Sequence, residues 1–68
     1  MIDWNATRSY AESLDTYSLL CAIQDAIEAA LAMDELDRAE PLAHGACRAG
    51  KYRDQISVYR QVLQARTQ

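Results

Sequence analysis

Apolar residues recur at three- and four-residue steps through the first half of the chain. Leu20, Ile23, Ile27, Ala30 and Leu31 form the row, and Leu19, Ala22 and Ala26 widen it. That period predicts an amphipathic helix. Asp15 is a good N-cap, and Leu14 before it and Leu19 after it occupy the two positions of a hydrophobic staple. Helix 1 is therefore placed at 15–36, and its alanines at 22, 26, 29, 30 and 32 leave room for a neighbouring helix to approach closely. A second pattern follows. Asp37-Arg38-Ala39-Glu40 has capping-box spacing, and Pro41 would fall in a first helical turn, where its missing N–H costs least. Leu42, Ala49, Ile56 and Leu63 are seven apart, and Gly45, Tyr52 and Tyr59 form a parallel row that ends at Arg66. This heptad predicts helix 2 at 38–66. Gly50 is its weak point: one kinked helix is favoured over a short helix 41–48 followed by a longer one at 51–65. Residues 1–13 show no clear period. They read as an N-terminal arm in which Ser9-Tyr10-Ala11-Glu12 could cap one helical turn.

The pattern therefore predicts an all-α antiparallel helical hairpin. Composition agrees: only two glycines and one proline interrupt 68 residues, and phenylalanine is absent. β-Branched residues are few, which nearly excludes an all-β domain. A single domain of this size buries little apolar surface, and a lone hairpin leaves part of both stripes wet. The expected solution is a homodimer forming a four-helix bundle. Its predicted dimer core is Leu20, Ile23, Ile27, Leu42, Ile56, Tyr59 and Leu63.

Charge divides the chain. Residues 15–37 carry six carboxylates and no Lys or Arg, whereas residues 41–68 carry Arg48, Lys51, Arg53, Arg60 and Arg66 against Asp54 alone. Attraction between the two antiparallel helices is the favoured account, ahead of a charged arm docking on a partner. Cys21 and Cys47 are expected as buried, reduced thiols. A turn near 37–40 would set Cys21 opposite Ile56 and Cys47 opposite Ala30, too far apart for a disulfide. A lone His44 supplies no zinc set. Asp25 and Glu28, three apart, read as a solvated acidic face. No nucleophile–base pair or phosphate-binding glycine pattern is visible, so neither catalysis nor a cofactor or metal is expected. The start of the chain lacks the basic and apolar regions of a secretory signal, and no apolar run would span a membrane. A cytoplasmic location is expected.

Binding is the remaining class. Tyr52-Arg53 and Tyr59-Arg60 interleave aromatic and basic residues, a pattern that can grip RNA, so an RNA-binding hairpin dimer is one alternative. Trp4, Tyr10, Tyr17 and Met33 lie outside the main stripes, and aromatics, Met and Arg are the usual anchors of protein interfaces. The candidate partner-binding residues are Trp4, Tyr10, Tyr17, Arg53 and Arg60.

The segment from Ala49 to Arg60, AGKYRDQISVYR, resembles the second helix of small helical-hairpin proteins of temperate bacteriophages of pseudomonads, where G-[KR]-Y-x-[DE] opens a terminal amphipathic helix. The stretch from Leu19 to Met33, with its AIQDAIEAA core, is also similar. Size and layout most resemble the phage-encoded quorum-sensing anti-activators. That resemblance implies a dimeric helical protein that binds a host quorum-sensing transcription activator and blocks it. For members of that group it extends to the ATPase that drives type IV pilus assembly. It implies no particular contact residues. Competing phage roles are an anti-CRISPR protein or an assembly factor.

Overall fold

A computed structural model describes residues 2–67. Among them the chain forms three α-helices: α1 (Trp4–Ser13), α2 (Thr16–Ala39) and α3 (Gly50–Arg66). A short 3-10 turn, Ala43–Gly45, lies in the connection between α2 and α3. The all-helical class is as the periodicity predicts, but three helices are more than a hairpin. The predicted arm is the main difference. Asp3, not Ser9, starts its helix: Ala6 N–H donates to Asp3 Oδ1 (3.0 Å). Met1 of that arm lies outside the described residues.

Asp15 caps α2 as its staple predicts, accepting from Ser18 N–H at 2.7 Å. The staple leucines do what the motif requires: Leu19 is fully buried and Leu14 packs against the same core. Helix 2 departs from the heptad. Residues 38 and 39 still belong to α2, and the chain leaves helical geometry from Glu40 to Ala49 apart from the 3-10 turn. Pro41 follows the end of α2 instead of opening a helix, a place suited to a residue that cannot continue one. His44 (φ 62°) and Gly45 (φ 71°) are both left-handed, which turns the chain back and rules out a continuous helix. Gly50 thus opens α3 and does not kink it.

No side chain of its own caps α3. Asp37, near the end of α2, substitutes. Its carboxylate accepts from Arg48 N–H (3.0 Å) and from the Arg48 guanidinium (2.9 Å), which also donates to Glu40 O (2.8 Å). An anion is thereby placed beside the positive end of α3. Burial works against the ionised Asp37, but hydrogen bonds from Cys47, Arg48 and Ala49 outweigh it and hold its carboxyl below the ordinary range. The backbone and hydroxyl of Ser18 do the same for Asp15, and Arg66 adds to the effect. Both carboxylates bind protons less readily folded than unfolded. Their contribution to stability is therefore full above the ordinary carboxylate range and is lost as pH falls through the depressed folded-state values. Thermal melts should hold steady near neutrality and fall steeply below about pH 4. Asp37→Asn should melt lower than wild type at neutral pH, and the two curves should converge in acid. A constant gap at all pH values would contradict this account.

The core lies where α3 meets both other helices. Leu19, Ile23 and Ala26 of α2, Tyr59 and Val62 of α3, and Ala11 of α1 form its centre. At the far end Arg66 closes the structure. Its guanidinium donates to Leu14 O (2.6 Å), Glu12 O (3.3 Å) and Ala11 O (3.4 Å). These carbonyls lie at the end of α1, where Ala11 O also accepts from Leu14 N–H and where a cation complements the helix dipole. Read from the heptad, Arg66 was only the polar end of a row. Arg66→Met keeps the apolar stem and removes the donors, and should cost about 1.5–3 kcal/mol in a urea melt. A midpoint equal to wild type would mean that Ala11, Tyr10 and the Arg8–Gln61 hydrogen bond hold α1 without Arg66.

Candidate interaction surface

Several open grooves of similar size cross the surface, and one of them gathers the tyrosine side chains. It encloses about 580 Å³ and runs along the open side of α2. Its α2 wall consists of Ser18, Cys21, Ala22, Asp25, Ala26 and Ala29, which are mostly small side chains at three- and four-residue steps. The facing wall is Tyr52, Gln55 and Tyr59 of α3, and Tyr10, Leu14 and Tyr17 border its end near the α1–α2 corner. All four tyrosines of the chain border this groove. Tyr52 and Tyr59 share a wall because they are two helical turns apart.

The rings differ in environment. Tyr59 is buried, and burial together with Tyr10 pushes its phenol above the ordinary range. Tyr10 is half exposed, its ring centroid 6.4 Å from that of Tyr59 and tilted by 51°. Lys51 Nζ lies 5.0 Å from the Tyr52 ring centroid, a cation–π contact. Tyr17 is 77% exposed. The groove therefore offers aromatic faces on one side, little steric bulk on the other, and one carboxylate, Asp25.

The candidates from sequence separate into three places. Tyr10 and Tyr17 border the groove. Arg53 and Arg60 lie on another side of α3, around a second groove shared with Ile27 and Ile56. Trp4, at the start of α1, borders neither. Consecutive residues of a helix point about 100° apart, so the interleaved Tyr-Arg pairs present rings to one groove and guanidiniums to the other. Arg53 is moreover engaged by Asp34, which accepts from it at 2.6 Å. Of the predicted dimer core, Ile23 and Tyr59 are buried within the protomer. Leu42 belongs to the irregular connection.

Both cysteines are exposed, contrary to the expectation of buried thiols. Cys21 lines the tyrosine groove, and Cys47 sits in the connection, displaced from helix 2 by the turn. Oxygen and sulfur atoms of Asp34, Asp37 and Cys47 come within 4.8 Å of one another. Arg48 and Arg53 already pair with the two carboxylates. His44 lies in the 3-10 turn. Among the described residues no helix is long and apolar enough to cross a membrane. Comparison with protein-family models, curated proteins and solved structures finds no match.

Proposed function

We propose that this protein acts by stoichiometric association with another protein, seating a helix of its partner in the tyrosine groove. The observation that carries the reading is the convergence of all four tyrosines on one open groove with a small-residue wall. Rigid aromatic side chains supply large contact area at low entropic cost and commonly anchor interfaces. The small residues of α2 let a second backbone approach closely, and Asp25 favours a partner helix carrying Lys or Arg. The resemblance of the α2 and α3 sequences to phage anti-activators points to a host quorum-sensing transcription activator as that partner. The pilus-assembly ATPase is a further target implied in the same way. The host cytoplasm is where such a partner would be met. The reading is of inhibition by occupation, not turnover.

We propose a homodimer as the working form. Four of the nine buried apolar side chains are alanines, so the protomer core removes little apolar area from water. The RNA-binding alternative draws less support, because rings and guanidiniums occupy different sides of α3 and Arg48 and Arg53 are paired with aspartates.

Affinity capture from host lysate, with and without nuclease, tests the reading. A transcription regulator retained after nuclease treatment is the expected catch. A catch lost with nuclease would replace the reading with RNA binding.

A further inference from the structure

We infer that the seam of α2 and α3 on the side of Arg53 and Arg60 is a self-complementary face, on which a second copy docks about a two-fold axis parallel to the helices. This rests on the dimer proposed above and specifies its face and symmetry. Leu20 and Leu31 of α2 are 49% and 60% exposed. With Ile27 they form one row at seven- and four-residue steps. Half-buried Ile56 borders the same groove as Ile27. Half-buried Leu63, two turns beyond Ile56, lies level with Leu20 because the helices are antiparallel. This row is apolar but incompletely covered.

Charge selects the occupant and the axis. Exposed Glu28 and Glu35 border the row on its α2 side, and exposed Arg60 and Arg53, the latter paired with Asp34 of its own copy, border it on its α3 side. Arg60 has no ion-pair partner among the described residues. A two-fold axis lying along the seam turns each copy's α2 onto the other's α3. Acidic border then meets basic border twice. An in-plane axis perpendicular to the helices would instead stack acid on acid and base on base. Rotation about the parallel axis also leaves heights along the helices unchanged. Ile27 therefore falls over Ile56 of the second copy, and Leu20 over its Leu63, with no freedom to slide. The seam is as long as α3, about 25 Å, and the molecule is 20 Å wide. Roughly 500 Å² per copy is at the small end for a specific interface, which implies a concentration-dependent dimer.

Sedimentation equilibrium across the micromolar range, under reducing conditions, tests this on wild type, Glu28→Arg, Arg60→Glu and the double variant. Both side chains are exposed, so the folds should be alike by circular dichroism. Each single reversal should weaken the dimer about tenfold, since the two-fold repeats every contact. The double variant exchanges the borders and should restore it. Wild type that stays monomeric throughout overturns the dimer itself. A wild-type dimer indifferent to both reversals leaves the dimer standing and overturns this face. A dimer strengthened by Glu28→Arg alone overturns the axis.

Discussion

Leu19→Ala is expected to lower the stability of this protein by about 2–5 kcal/mol. Leu19 is fully buried at the centre of the core, in the cluster that includes Ala11, Ile23, Tyr59 and Val62, so all three helices contribute to its surroundings. It also completes the staple that sets the angle between α1 and α2. A chain of this length has roughly 3–10 kcal/mol in total. The loss is therefore a large fraction of the whole, and the neighbours that would have to collapse into the cavity include two alanines that cannot extend. Urea melts followed by circular dichroism should show either a midpoint far below that of wild type or no cooperative transition. A wild-type midpoint would place the α1–α2 corner outside the cooperative unit.

Tyr10→Ala combined with Tyr17→Ala should weaken binding of the captured partner at least tenfold, and a central aromatic anchor commonly accounts for about thirtyfold. Tyr17 is mostly exposed, so its truncation changes the groove and not the core. Tyr10 faces Tyr59, and loss of that ring pair should cost the fold only about 0.5–1.5 kcal/mol. Trp4→Ala, away from the groove, should leave the affinity unchanged. Titration calorimetry of both variants beside their thermal melts separates contact from scaffold. Affinity lost with Trp4 and kept without the tyrosines would move the binding surface to the start of α1.

What could be read along the chain was local. The Asp15 cap, the Leu14–Leu19 staple and the period through Ile23 depend on residues a turn or two apart, and α2 forms where they place it. The rest depends on groups distant in sequence. Asp37 caps a helix that begins thirteen residues later, so no local cap distinguishes α3 from a continuous helix, and the alternative of a separate helix at 51–65 is the one close to α3. The apparent heptad through Leu42 and Gly45 is a coincidence of spacing, because spacing carries no information about the left-handed turn at His44-Gly45. Residues 4–13 bury one small side chain, Ala11, too slight a signal to stand out as a period, and Gln61, Arg66 and Tyr59 of α3 hold the rest of α1. The groove is half legible in the sequence: Tyr59 is buried as its place in the row predicts, but its row does not show that Tyr52 and Tyr59 share a groove with Tyr10 and Tyr17, or that Trp4 lies apart from it. Only the crossing of three helices sorts them.

The grip of Arg66 on the end of α1 has a kinetic consequence. The hairpin of α2 and α3 closes across a ten-residue connection, whereas docking α1 requires residues 11–14 to meet residue 66 across more than fifty. Made before the hairpin, that contact would close a longer loop at a higher entropic cost; after it, the two-residue link Leu14-Asp15 already holds the end of α1 beside Arg66. With Ala11 as its one buried residue, α1 is expected to open more readily than the hairpin of α2 and α3. Its amide protons should exchange with deuterium sooner than those around Val58. When α1 lifts away it takes Tyr10 with it and uncovers the ring of Tyr59. The groove then loses the Tyr10 part of its end wall, while Tyr17 stays in place on α2.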